Sequence, residues 1–285
     1  MTPLLLQAAE YGEGPPLVIL HGLFGSGITS LLLAAAEYGS GPPLAILHGL
    51  FGSGRNWAGV AKHLAEHHRV IAFDLRNHGA SPWAGTMAYT EMAEDVCASL
   101  AARGYRRVAL LGHSMGGKVA MLAALSDPGS VERLVVADIA PVAYLPHHLG
   151  LVHAMRGLDF AGIKRRAEAD AALASTVPDP AERGFLLQNL VFDNGAPRWR
   201  INLDAIEREM PVLVGFPPIP PGTVYEGKAL FIGGGRSDYL RPEHEPAIRL
   251  LFPRARIARI ADAGHWLHAE QPRAFLDLVE PFLDG

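Results

Sequence analysis

The chain has 285 residues, 49% of them hydrophobic, which is enough to bury one large core. Its 25 Lys and Arg against 29 Asp and Glu leave a net charge of −4 with no basic cluster. This excludes an electrostatic footprint for nucleic acid and favours small neutral or weakly charged ligands. The only cysteine, Cys97, rules out an internal disulfide, fits a reducing compartment and reads as a small buried side chain.

At the N-terminus, MTPLLLQAAEYGEG has no basic n-region, no long apolar core and no arginine, so neither a signal nor a transit peptide is expected and the predicted location is cytoplasmic. The uncharged run from Gly14 to Ala36 is broken by His, Ser, Thr, paired Pro and repeated Gly, which argues against a membrane span. Leu4–Gly27 and Leu31–Gly54 align at a constant offset and differ only at Gln7/Ala34, Glu13/Ser40 and Val18/Ala45. The turn HGLFGSG therefore occurs twice, and two near-identical copies are a duplication, not a repeat architecture.

From the second copy onward, short apolar runs alternate with amphipathic stretches, which predicts parallel strands covered by helices on both faces. Strands are expected at Leu44–Leu47, Arg69–Leu75, Arg107–Gly112, Arg133–Ile139, Ala229–Gly234 and Ala255–Asp262. Helices are expected at Asn56–His67, Tyr89–Ala102, Met115–Leu125, Pro242–Leu251 and Pro272–Leu283. Between Val142 and Pro221 the strand pattern stops, and breaks at Pro178, Pro180 and PPIPPG punctuate a helical reading. The expected division is a duplicated segment at 1–30, an α/β core at 31–141 and 222–285, and an inserted helical cap at 142–221.

GHSMG, Gly112–Gly116, follows an apolar strand and precedes a helix. A strand, a sharp turn with Ser at its apex and a helix lift the hydroxyl above the carboxyl edge of the sheet, so Ser114 is the candidate nucleophile. A serine hydroxyl needs a base, and His265 in ADAGHWLHAE lies after the last strand on the same edge. His268 reads as helical surface or packing; His113 and the pairs His67–His68 and His147–His148 read as surface, without metal-site spacing. The base needs a carboxylate. Asp138 in VVADIAPV and Asp238 in GGGRSDYL both preserve the order Ser, Asp, His.

HGLFGSGRNW, DLRNHGASPW, GHSMGGKVAM, DIAPV, WRINLDAI and AGHWLHAEQP together resemble the α/β-hydrolase superfamily, and within it the small serine esterases related to abhydrolase domain-containing proteins. The resemblance implies the α/β-hydrolase fold, with a mostly parallel sheet, helices on both faces and a helical cap between two strands. It also implies carboxylic ester cleavage through a Ser-His-Asp triad, short to medium acyl groups and no metal or organic cofactor. Many relatives place the acid in a later G-x-x-D turn, but here that position is Ser237, with Asp238 one residue late. The resemblance to the branch thus favours Asp138, with Asp238 as the alternative.

In this fold the oxyanion donors are the amide of Met115 and that of the residue after His-Gly: Leu50 if the second copy fills the central strand, Leu23 if the first does. His48 by analogy braces the turn. Docking the first copy would force a loop of about thirty residues into that turn, at roughly 1.5 kcal/mol of extra closure entropy. Val18 in place of Ala45 returns a similar ~1.5 kcal/mol. A long loop would loosen the donor, so the second copy is preferred. The spare copy then adds to a sheet edge, swaps into a homodimer or stays disordered.

Thioesterase, lactonase, perhydrolase and carbon–carbon bond hydrolase activities use the same triad, and a noncatalytic binding protein uses the same fold. Leu149, Leu151, Phe160, Phe185 and Trp199 are expected to cover a pocket or to form the cap's own core. Asp74, Arg76 and Asn77 are read as loop stabilisers, with Arg76 facing the pocket as the alternative. Lys118 is read as paired or solvated on the helix after Ser114. The expected partner is a small-molecule ester, with neither nucleic acid nor membrane.

Overall fold

The computed structural model describes residues 30–146 and 148–285; the first copy of the duplication, with Leu23, lies outside the described residues. Seven strands form one sheet in the order β1-β3-β2-β4-β5-β8-β9. These are β1 (Ala35–Tyr38), β2 (Pro43–Leu47), β3 (Arg69–Phe73), β4 (Val108–His113), β5 (Val131–Ala137), β8 (Lys228–Gly234) and β9 (Ala255–Ile260). All neighbours pair in parallel except β1, which runs antiparallel to β3. The second copy therefore supplies both an edge strand that the apolar pattern missed and the strand between β3 and β4.

The sheet is buried on both faces, and residue alternation divides its side chains between two cores. Ala45, Leu47, Leu110, Leu134, Val136 and Phe231 pack with α2 (Tyr89–Ala102) and α3 (Met115–Ser126). Leu44, Ile46, Ala109, Leu111, Val135 and Ile232 face α1 (Ala58–Leu64) and α10 (Pro272–Asp284). In α10, Phe275, Val279, Phe282 and Leu283 recur at helical spacing and make the inward stripe. The stretch read as one helix from Asn56 is shorter, because a 3-10 turn at Gly54–Trp57 precedes α1. That turn buries Trp57 completely; a side chain of that size contributes on the order of 3 kcal/mol.

Between β5 and β8 the chain leaves the sheet. It forms α4 (Leu149–Arg156), α5 (Arg166–Leu173), α6 (Pro180–Leu186) and α7 (Leu203–Val214). The wholly helical expectation is corrected by a hairpin of β6 (Leu190–Asp193) and β7 (Ala196–Trp199). Its turn is Asn194-Gly195, with φ of 50° and 83°, the left-handed pair that a type I′ hairpin turn requires. After β8 come α8 (Glu245–Leu251), β9, the short α9 (Leu267–Glu270) and α10.

This excursion has its own small core of Leu158, Ile163, Ala169, Leu173, Leu187 and Leu190, against which Phe160 and Trp199 pack. Val152, Met155, Leu186, Ile206 and Met210 join it to the main core, and polar tethers hold it on the sheet's carboxyl edge. The Asn189 side-chain amide donates to the Phe51 carbonyl at 2.8 Å, and the Tyr89 hydroxyl donates to the Leu213 carbonyl at 2.7 Å.

Candidate active site

β4 runs into α3 through Ser114, whose φ of 51° and ψ of −118° lie where a residue with a Cβ is strained. The surroundings enforce this. A Cβ on Gly112 would stand 2.2 Å from the Gly116 carbonyl oxygen, and one on Gly116 would stand 2.4 Å from that of Leu47. The Ser114 amide donates to Ala137 at 3.0 Å, and its carbonyl accepts from the amides of Gly117 and Lys118. With backbone fixed on both sides, the hydroxyl projects at the rim of the sheet.

His265 follows β9 and ends beside that hydroxyl, with Nε2 3.0 Å from Ser114 Oγ. Its Nδ1 lies 2.7 Å from Asp138 Oδ2. A carboxylate only accepts, so Nδ1 carries the proton and Nε2 is left bare toward the serine. Asp138 ends β5 at φ 51° and is fully buried. Its charge is met by three donors: the Gly234 amide at 2.9 Å on Oδ1, and the Ser237 hydroxyl and His265 on Oδ2. The alternative acid is elsewhere. Asp238 is 82% exposed and pairs with Arg241.

Leu50 lies in the turn directly after β2, which places the second copy of HGLFGSG beside Ser114. Met115 opens α3. Neither amide takes part in a turn, loop or cap backbone bond among the described residues. His48 Nδ1 donates to the Gly49 carbonyl at 2.8 Å and its Nε2 accepts from the Leu75 amide at 2.9 Å, which ties the turn to the end of β3. Phe51 continues the turn at φ 62°, held by the Asn189 tether.

Several histidines read as surface are not. His113 is buried, and its Nε2 donates to the His265 carbonyl at 2.8 Å, pinning the loop that carries the base. His68 is also buried, and His148 lines the cavities beside Ser114; His147 lies outside the described residues. His268 is packing: its ring stacks on Trp57 at 3.9 Å. Burial depresses these imidazoles, His48 to about 4, His268 to about 3 and His113 well below its usual value; His78, 5.0 Å from the His48 ring, falls to about 3 by burial and the neighbouring imidazole. They are neutral spacers in an apolar setting. Only His265 joins a carboxylate to a hydroxyl.

Arg76 does not face the pocket. It is buried against Asp95 and Glu91, its Nε 2.7 Å from Asp95, and Asp74 accepts from the amides of Gly54 and Ala80, so this loop is structural as read. Cys97 is a free, half-buried thiol that burial pushes up to about 11. Lys118 corrects its reading as paired or solvated: it is 1% exposed and bonds to main-chain carbonyls. Burial pushes its ammonium down to about 7.

Two residues beyond the candidate triad touch the cluster. Ser237, which the sequence placed in the displaced G-x-x-D turn without giving it a role, donates its hydroxyl to Asp138. Tyr239 stacks on the His265 ring at 4.1 Å. The first had a signal in the displaced G-x-x-D turn; the second had none.

Ser114 sits between two cavities. One, the larger and open to solvent, is lined by His265, Trp266, Phe185, Leu186, Leu151 and Trp57 among others. The other, smaller, runs along the first turn of α3 and is lined by Tyr144, Met210, Leu213 and Tyr239 among others. Of the five apolar residues expected over a pocket, Leu151 and Phe185 line the first cavity, Phe160 and Trp199 pack within the excursion, and Leu149 packs on the main core.

Comparison with known proteins shows the family. A family profile described as alpha/beta hydrolase fold matches residues 42–272. The sn-1-specific diacylglycerol lipase ABHD11 of Xenopus laevis is 42% identical over 281 residues, covering 95% of this chain and 80% of that protein. Esterase YbfF of Escherichia coli (strain K12) is 35% identical over 97% of this chain and 96% of its own. A solved marine microorganism esterase superposes with a TM-score of 0.86 at 38% identity, covering 89% of this chain and all of that one. The chain belongs to the α/β-hydrolase family, in the branch of small serine esterases related to abhydrolase domain-containing proteins.

Proposed function

We propose that this chain hydrolyses carboxylic esters of short to medium acyl length through an acyl-enzyme on Ser114. The observation that carries the reading is the unbroken hydrogen-bonded line from Ser114 Oγ through His265 to buried Asp138, at 3.0 and 2.7 Å. His265 Nε2 takes the hydroxyl proton as Oγ attacks the acyl carbon, and Asp138 stabilises the imidazolium that results. The amides of Leu50 and Met115 receive the oxyanion, the latter aided by the positive end of α3. Collapse of the tetrahedral intermediate breaks the bond to the alcohol oxygen, which leaves with the proton from His265. Water, deprotonated by His265 in turn, releases the acid and restores Ser114.

The division of the substrate follows from the base. His265 must hand its proton to the leaving oxygen, and it lines the larger cavity and not the smaller. The alcohol half therefore occupies the larger cavity and the acyl half the smaller, beside Met115. Residues 142–221 act as a cap over both. The relatives named esterase and lipase support a carboxylic ester as the bond broken. No described helix is long and apolar enough to cross a membrane. A panel of p-nitrophenyl esters and thioesters of graded chain length, run beside Ser114→Ala, tests the reading. Ester turnover should exceed thioester turnover and fall by about 10⁴-fold or more in the variant. Residual activity within tenfold of the parent would overturn it.

A further inference from the structure

Lys118 lies in the first turn of α3, and it and Ser114 both line the smaller cavity. It is 1% exposed, and no ion pair joins it to a carboxylate among the described residues. Two of its three N–H bonds go to the carbonyls of Val214, at 3.1 Å, and Gly215. The rings of Tyr144 and Tyr89 lie 4.9 and 5.5 Å from Nζ. Both phenol hydroxyls are already committed, Tyr89 to the Leu213 carbonyl and Tyr144 to the Tyr239 carbonyl at 2.6 Å. Lys118 is the one Lys, Arg, Asp or Glu among the described residues lining this cavity; the rest of the wall is aliphatic and Met side chains, three tyrosines, Ser114 and the imidazole of His148.

A buried ammonium without a counter-charge is costly, and dipoles and ring faces repay only part of the lost hydration. An apolar acyl chain entering this cavity would strip away what water remains and raise that cost. An acyl chain ending in a carboxylate would instead bring the missing charge. We propose that Lys118 selects the acyl half of the substrate: the preferred esters are monoesters of short dicarboxylic acids, of succinyl or glutaryl length, whose free carboxylate pairs with the Lys118 ammonium while their ester carbonyl lies at Ser114. Ser114 and Lys118 line the same cavity, so one short acyl chain can meet both. This inference rests on the acyl half occupying the smaller cavity.

The test compares mono-p-nitrophenyl glutarate with p-nitrophenyl valerate, which carries a methyl group where the first carries a carboxylate. Spontaneous hydrolysis is subtracted from each. In the parent protein kcat/KM should favour the glutarate ester at least tenfold, chiefly through KM. In Lys118→Met that ratio should fall at least tenfold, whatever happens to the absolute rates. A parent ratio at or below one, or a ratio unchanged in the variant, overturns the proposal. If Lys118→Met does not fold, inhibition of p-nitrophenyl acetate hydrolysis by free glutarate and by free valerate in the parent decides the matter. Glutarate should inhibit at concentrations at least tenfold lower, and equal inhibition overturns the proposal. Failure of the parent to hydrolyse any of these esters would sink the esterase reading itself, a different outcome from hydrolysis without preference for the carboxylate.

Discussion

The rim of the sheet around Ser114 and the excursion from 142 to 221 share the main core but are held in place by different means. At the rim, position depends on backbone fits that admit no further atom: the Cβ distances at Gly112 and Gly116 are far inside contact, and Asp138 spends its lone pairs on three donors. The excursion carries a separate small core and surface ion pairs such as Arg156 with Asp204 and Glu207, and it docks on the main core through Val152, Met155, Leu186, Ile206 and Met210 as well as through polar tethers. Exposed pairs of this kind contribute little each. The contrast teaches that the turn carrying Ser114 is set by backbone fits that tolerate no added atom, while the excursion is set by side-chain burial, which tolerates substitution more readily.

The sharpest way to break the comparison is at the acid. Asp138→Asn should lower kcat by about 10⁴-fold without changing KM greatly, because the amide can donate to Nδ1 and favours the wrong tautomer. Asp238→Asn should stay within twofold. Steady-state kinetics on the pair would overturn the assignment if their effects were reversed.

Acid should then act on the rim before the excursion. His48, His78, His113 and His268 have folded values below 6.5, so below pH 6.5 the unfolded chain binds protons that the native state refuses. Their contribution is fully present above pH 6.5 and is lost as pH falls toward 4 and then 3. The loss approaches about 1.4 kcal/mol per pH unit for each group. Urea denaturation should show a midpoint that these groups leave level above pH 6.5 and lower steadily from pH 6.5 to 5, and a flat profile across that lower range would contradict the neutral, buried state of these rings.

Smaller effects come from single contacts. Gly116→Ala should cost about 3 kcal/mol, because a Cβ would meet the carbonyls of Leu47 and His48 in a wall that has no room to relax. Gly150→Ala, in open space on α4, should be neutral or slightly stabilising by the same measurement. Asn189→Ala should cost about 1–2 kcal/mol and loosen the Phe51 turn, so kcat should fall more than the stability loss alone explains. An unaltered kcat would detach that tether from the oxyanion turn.

Most of the sheet was legible because its strands are buried on both faces and read as unbroken apolar runs, as VALLG does in β4. β1 was not, since AAEY lies at an edge where only half the side chains meet the protein. The hairpin was missed although its Asn-Gly turn stood in the open, because the flanking residues Asp193, Pro197 and Arg198 dilute the alternation. Ser114 and His265 were readable from their places after β4 and β9. Choosing between Asp138 and Asp238 needed coordinates: a shift of one residue at Ser237 decides which side chain meets the buried carboxylate, and spacing alone does not carry that information. The burial of Lys118 was likewise invisible, since it arises from α7, far away in the chain.

The most direct test of the central claim is the mass of the covalent intermediate. Acid-quenched protein, mixed briefly with excess p-nitrophenyl ester and digested, should carry one acyl group, and that group should map to the peptide holding Ser114. Steady ester turnover with no acyl group on Ser114, or the same adduct forming at the same rate in Ser114→Ala, would contradict the account.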